Sequence, residues 1–112
     1  MNKAEEFFAR RAHQNDILLD RADLSVKRFF ALDNTVYKEG EIPAKYKELL
    51  GLVASTVLRC DDCITYHILQ AKKEGASYAE IEETLAIALL VGGSITIPHL
   101  RTAFDFLETL RN

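Results

Sequence analysis

Apolar residues recur along the chain at intervals of three and four, the spacing that places side chains on one face of an α-helix. No run of β-branched residues bounded by turn signals, which would be typical of a strand, interrupts this pattern. Glycine and proline divide it into segments. The pattern therefore predicts an all-α protein of about six helices.

The first helical segment extends from about Lys3 to Val36, which is long for a single helix in a small domain. We predict a break near residues 13–16, where Asn15 and Asp16 are both good N-caps. The next helix is predicted to begin at Ile42-Pro43, with proline as its first helical residue, and to end near Leu58 or Arg59.

The remaining boundaries follow from signals at helix ends. Gly75 suits the left-handed position after a helix, and Ser77 with Glu80 fits a capping box. These signals predict helices at about Asp61–Glu74, from Ser77 to Val91 before Gly92-Gly93, and at Ile97–Arg111.

The segment from Leu85 to Val91 is apolar on every side. Such a helix is either a central core helix or part of a subunit interface. We favour the interface, because a chain of 112 residues has few places to bury a helix completely.

Charge and hydropathy limit the classes of partner. The formal net charge is −3 and no segment is basic, so we expect neither a nucleic-acid footprint nor a polybasic membrane anchor. The longest apolar run is far shorter than the roughly 20 residues of a membrane-spanning helix. No apolar segment follows Met1-Asn2-Lys3 as it would in a secretion signal, so we expect a soluble, cytoplasmic protein.

The candidate chemistry lies in the segment from Cys60 to His67. Cys60 and Cys63 are three residues apart and His67 follows four later, so a helix places all three on one face. The N-terminus of a helix stabilises a thiolate and lowers the thiol pKa. The spacing thus predicts a dithiol redox centre in which one cysteine attacks a peroxide or disulfide and the other resolves the intermediate.

Two other interpretations stay open. The cysteines could be a buried pair that packs like small apolar residues. Alternatively, Cys60, Cys63 and His67 could bind zinc, with His13 or His99 as a fourth ligand through tertiary or intersubunit contact. Without such a role, we expect His13 and His99 to be surface or half-buried histidines.

Asp61 and Asp62 lie between the two cysteines. They favour the start of a helix through its dipole, but a carboxylate beside a thiol opposes thiolate formation. The direction of each side chain decides which effect wins.

Several residues together resemble one family. They are Lys47-Glu48-Leu49, Cys60-Asp61-Asp62-Cys63 with His67, Ala71, Glu74-Gly75-Ala76-Ser77, Ile81-Glu82-Glu83 and Gly92-Gly93. As a set, they resemble the carboxymuconolactone decarboxylase superfamily on its AhpD-like alkylhydroperoxidase branch. The resemblance covers about residues 40–110 of a single domain, 1–112, in which residues 1–37 are a helical extension.

The resemblance implies an AhpD-like helical bundle that assembles as a homo-oligomer, a trimer or hexamer, without cofactor or metal. Its redox site corresponds to Glu48, Cys60, Cys63 and His67. Cys63 would attack a hydroperoxide or disulfide, Cys60 would resolve the intermediate, Glu48 and His67 would relay protons, and an external thiol reductant would recycle the pair. Asp62 stands where this branch often has histidine.

Two alternatives to this activity are carried forward. One is a zinc-binding or purely structural oligomeric module. The other is a carboxymuconolactone-decarboxylase-like enzyme that uses His67 and Glu48 for acid–base chemistry on a small organic acid.

Glu48 precedes Cys60 by twelve residues, which is about 18 Å along one straight helix. The relay therefore requires the chain to fold back near Arg59, or Glu48 to come from a neighbouring subunit.

Overall fold

Six α-helices and one 3₁₀ turn make up the regular structure of residues 1–111, the part of the chain that this computed structural model describes. The helices are α1 (Lys3–Arg21), α2 (Leu24–Tyr37), α3 (Ala44–Val57), α4 (Asp61–Lys73), α5 (Tyr78–Gly92) and α6 (Ile97–Arg111), with the 3₁₀ turn at Ser94–Thr96. The predicted all-α fold is confirmed. Within the described range, no helix combines the length and apolar content needed to cross a membrane.

The first compact unit, Met1–Lys38, contains α1 and α2. The predicted break near residues 13–16 is wrong, because α1 continues to Arg21 and Asp23 is the N-cap of α2. The Asp23 side chain accepts a hydrogen bond from the backbone N–H of Val26, and the backbone at Ala22 is extended. At Asn15 and Asp16 the helical apolar pattern continues, and adding residues to a helix costs less than starting a new one.

The second unit, from Glu39 onward, contains α3 to α6 around one hydrophobic core. α3 packs against both α4 and α5, and α6 contacts the same two helices. Fully buried leucine and isoleucine side chains fill the centre: Leu52, Ile64, Ile68, Ile81, Leu85 and Leu107. The core therefore fixes α3 and α4 against each other, and these two helices carry most of the predicted site residues.

Most helix ends in this unit follow the sequence signals. Ser77 and Glu80 form the predicted capping box, with each side chain bonded to the other's backbone N–H. Gly75 has a φ of 95°, the left-handed conformation that glycine adopts easily. Pro43 is the N-cap of α3 rather than its first helical residue, so this start is one position later than predicted.

An ion pair links the starts of α3 and α5. Lys45 Nζ lies 3.1 Å from Glu80 Oε2. This hydrogen bond raises the pKa of Lys45. The backbone hydrogen bond from Ser77, followed by the contact with Lys45, lowers the pKa of Glu80. The capping glutamate of α5 thus also joins α5 to α3.

Gly92 leaves room for the side chain of Thr96 to pack against the end of α5. A Cβ atom there would lie 2.5 Å from Thr96 Cγ2 and 3.5 Å from Val57 Cγ2. Thr96 is fully buried, and its hydroxyl donates a hydrogen bond to the Gly93 carbonyl, so it has little freedom to move away. We therefore expect Gly92→Ala to lower the free energy of unfolding by about 1–3 kcal/mol in a denaturant titration.

Gly40→Ala is the matched control. The nearest atom to a Cβ at Gly40 is Lys47 Nζ, at the end of a long, flexible side chain, at 3.6 Å. We expect a change within about 0.5 kcal/mol for this variant. Equal destabilisation by the two substitutions would show that close packing at Gly92 is not the cause.

Candidate redox site

A tight turn between α3 and α4 reverses the chain. The N–H of Arg59 bonds to the carbonyl of Thr56, and the N–H of Cys60 bonds to the carbonyl of Ser55. This pair of bonds is the Schellman arrangement that closes a helix. Its left-handed position is occupied by Arg59, with a φ of 62°, where glycine is usual. Only Cys60 separates this residue from the start of α4.

Cys60 is therefore the last residue of the turn and also the N-cap of α4. Its Sγ accepts a hydrogen bond from the backbone N–H of Cys63 at 3.2 Å. The two cysteines are joined by a disulfide, with 5.2 Å between their Cα atoms. Both residues are half-buried, so the pair lies at the surface of the unit. The sulfur atoms thus occupy the first turn of a helix, where backbone N–H groups stabilise a thiolate.

A buried carboxylate–imidazole pair joins α3 to α4. His67 Nδ1 lies 2.8 Å from Glu48 Oε1, and the two residues are only 8% and 6% exposed. When the Glu48 carboxylate is ionised it only accepts hydrogen bonds, and Nδ1 of His67 is then the donor. The Tyr66 ring meets the His67 ring edge-on, with centroids 5.3 Å apart. Because both side chains are buried, the surrounding residues restrict their movement. Both partners belong to the same chain.

A second carboxylate–imidazole pair lies at the first residue of α4. His99 Nδ1, from the first turn of α6, lies 2.7 Å from Asp61 Oδ1. The His99 side chain is 22% exposed and that of Asp61 is 53% exposed. The carboxylate directly after Cys60 is thus engaged by a histidine from another helix.

The structure places the four residues predicted for the site in two pairs. Cys60 is bonded to Cys63, and Glu48 is hydrogen-bonded to His67. The chain folds back at Arg59, so Glu48 meets α4 without a second subunit.

Sequence reasoning missed the contact between His99 and Asp61. These residues are 38 positions apart, and no local spacing signals their meeting. His99 is half-buried, as predicted, but it also has a specific partner. In the described part of the chain, no three His, Cys, Asp or Glu side chains are grouped so that they could hold a metal ion.

Comparison with known sequences shows which family this chain belongs to. The profile described as the carboxymuconolactone decarboxylase family matches residues 24–106, which include all of α2, α3, α4 and α5, so the match begins earlier than the expected start near residue 40. An uncharacterised protein of Cupriavidus necator is 30% identical over 73 residues, and the alignment covers 65% of this chain and 65% of that protein. The chain thus spans just under two thirds of the length of this relative.

Solved structures show the same fold. Two crystal structures of TM1620 from Thermotoga maritima match with TM-scores of 0.92 and 0.90, at 58% and 57% identity. The matches cover 96% and 95% of this chain, and 94% and 90% of those chains. One is described as a carboxymuconolactone decarboxylase family protein with a suggested involvement in the antioxidative response.

A more distant structure agrees at the level of the fold. The apo form of lpg0406, a carboxymuconolactone decarboxylase family protein from Legionella pneumophila, has a TM-score of 0.83 at 24% identity. The match covers 95% of both chains.

Proposed function

The chain belongs to the carboxymuconolactone decarboxylase family, and we propose that it is a dithiol oxidoreductase of the alkylhydroperoxidase type. The observation that carries this proposal is the pair Cys60 and Cys63, bonded to each other in the first turn of α4. Two further observations support it: the buried Glu48–His67 pair on the adjoining helices, and the suggested antioxidative role of the Thermotoga maritima protein.

The reaction begins with the reduced pair. The thiolate of Cys63 attacks the terminal oxygen of a hydroperoxide, the O–O bond breaks, and the alkoxide takes a proton to leave as an alcohol. Cys63 becomes a sulfenic acid. The Cys60 thiol then attacks the oxidised sulfur, so a disulfide forms and water leaves. Two equivalents of an external thiol reduce the disulfide and are themselves oxidised to a disulfide.

Glu48 and His67 handle the protons in this scheme. His67 takes the proton that Cys63 loses and supplies one to the leaving oxygen. The Glu48 carboxylate holds the imidazole by its Nδ1–H and stabilises the imidazolium that forms. Because both groups are buried, their attraction is screened less than it would be in water.

Mass spectrometry of peptides from the hydroperoxide-treated protein tests the proposal. The reduced protein is treated with one equivalent of an organic hydroperoxide, then alkylated and digested. We expect a loss of about two daltons, confined to a peptide in which Cys60 and Cys63 are linked, and release of one equivalent of alcohol. Thiols that stay fully alkylatable while the hydroperoxide remains unconsumed would overturn the proposal.

We also propose that the protein self-associates through an apolar groove between α3 and α5, with a second copy of the chain as the occupant. The groove has a volume of about 610 Å³, and its lining in the described residues contains no charged side chain. Leu50, Leu58, Ile87 and Val91 line it although each is more than half exposed. α5 buries one side in the core, and its exposed apolar side supports the interface that we predict from its sequence.

Charge introduced into this groove is expected to break the assembly. By size-exclusion chromatography with light scattering, the wild type should have a mass several times 12.7 kDa. Ile87→Glu should give the mass of a single chain, because burying an unpaired carboxylate in an interface is costly. Ala79→Glu adds the same charge at an exposed position of α5 outside the groove, and should leave the assembly intact. A wild type of 12.7 kDa would contradict this prediction.

A further inference from the structure

The pair Asp61–His99 lies next to the proposed redox centre without being part of its relay. Asp61 is the first residue of α4, bonded through the main chain to Cys60. Its carboxylate oxygen lies 2.7 Å from His99 Nδ1, so a single hydrogen bond joins the start of α4 to the first turn of α6. Since the carboxylate is an acceptor only, Nδ1 of His99 is the donor.

The first turn of α4 contains two carboxylates as well as two sulfur atoms. Asp61 and Asp62 both lie in it, between the cysteines. Negative charge beside a thiol disfavours the thiolate, whereas the disulfide has no charge to repel. An uncompensated aspartate here would therefore favour the oxidised pair. A donor or cation on the Asp61 carboxylate would favour the reduced pair.

We propose that His99 is a positioning residue for the redox centre: it engages the Asp61 carboxylate, offsets its charge and shifts the Cys60–Cys63 equilibrium toward the dithiol. The inference rests on the proposed dithiol function, because it assigns a control to that same pair. His99 acts entirely through Asp61 in this scheme and makes no contact with the substrate.

Equilibration of the full-length protein in glutathione buffers tests this. The disulfide and two glutathione thiols exchange with the dithiol and one glutathione disulfide, and alkylation followed by mass spectrometry gives the equilibrium constant. We expect His99→Ala, which removes the donor to Asp61, to shift this constant about threefold to tenfold toward the protein disulfide, which at tenfold corresponds to about 30 mV. Asp61→Asn should shift it in the opposite direction.

The double variant distinguishes this role from a merely structural one. In the Asp61→Asn background, His99→Ala should have no further effect, because the charge that His99 offsets is already absent. His13→Ala, at an exposed histidine of α1, is the matched control and should leave the constant unchanged. If His99→Ala does not fold, Asp61→Asn alone decides, through the direction of its shift.

The outcomes separate this inference from the proposed function. A wild-type pair that does not exchange with glutathione at all would count against the dithiol function itself. Normal exchange with no shift in His99→Ala, or the same shift with and without Asp61, would overturn the role of His99 and leave the dithiol function standing.

Discussion

Cys63→Ser is expected to abolish the reduction of hydroperoxides. A serine hydroxyl has nearly the same size as the thiol, but it is not ionised near neutral pH and does not form a sulfenic acid or disulfide. We expect the rate of hydroperoxide consumption, measured with an excess of external thiol, to fall by roughly 10³-fold or more. The fold should be retained, because Cys63 is half-buried and lies outside the hydrophobic core cluster.

Cys60→Ser is the matched control, because it removes the other sulfur of the same pair. In the absence of external thiol, this variant should consume about one equivalent of hydroperoxide with a mass gain of about 16 Da that marks the sulfenic acid on Cys63, whereas the wild type should lose about two daltons. The opposite pattern, in which Cys63→Ser reacts once and Cys60→Ser does not react, would mean that the roles of the two cysteines are exchanged.

Glu48→Gln is expected to give the second large effect, on activity rather than on folding. The glutamine oxygen can still accept the hydrogen bond from His67 Nδ1, so the imidazole keeps its position, but the negative charge that stabilises the imidazolium is lost. We expect hydroperoxide turnover to fall by about 10²-fold or more, while the free energy of unfolding changes by less than about 1 kcal/mol. Steady-state kinetics and a denaturant titration on the same preparation measure the two quantities.

Two further variants sharpen this prediction. Glu48→Ala also removes the hydrogen bond and leaves the buried imidazole without this partner, so it should lower the free energy of unfolding by about 1–3 kcal/mol. Glu83→Gln removes a charge at an exposed position of α5 and should have no effect on turnover. Wild-type turnover in Glu48→Gln would show that the carboxylate charge is not used.

The helix ends of the second unit could be predicted because their signals are local. Ser77 and Glu80 satisfy each other's backbone groups within one turn, and Gly75 adopts the left-handed conformation that follows α4. The single-face arrangement of Cys60, Cys63 and His67 is similarly local, since it depends only on the helical repeat. Features that depend on a few neighbouring residues can be read from one sequence.

Other features depend on how distant residues pack. One predicted cap, Asp16, and the observed cap, Asp23, have the same side chain, so the residue type alone does not identify the start of α2. Arg59 adopts a backbone conformation that is usual for glycine, so its residue type does not predict the turn that brings α4, with His67, against Glu48. The contact of His99 with Asp61 depends on the placement of α6 against α4.

Cys60 is both the N-cap of α4 and one half of the disulfide, so its hydrogen-bond partner offers a way to follow the state of the pair. In the proposed reaction, the sulfur atom that caps α4 also changes oxidation state, so the strength of the hydrogen bond from the Cys63 amide would depend on whether that sulfur is a thiolate or half of a disulfide. The stability of the first turn of α4, and so the extent to which that turn frays, is therefore expected to differ between the reduced and oxidised states. The NMR chemical shift and the deuterium exchange rate of the Cys63 amide proton are therefore expected to report the redox state of the cysteine pair without an added label.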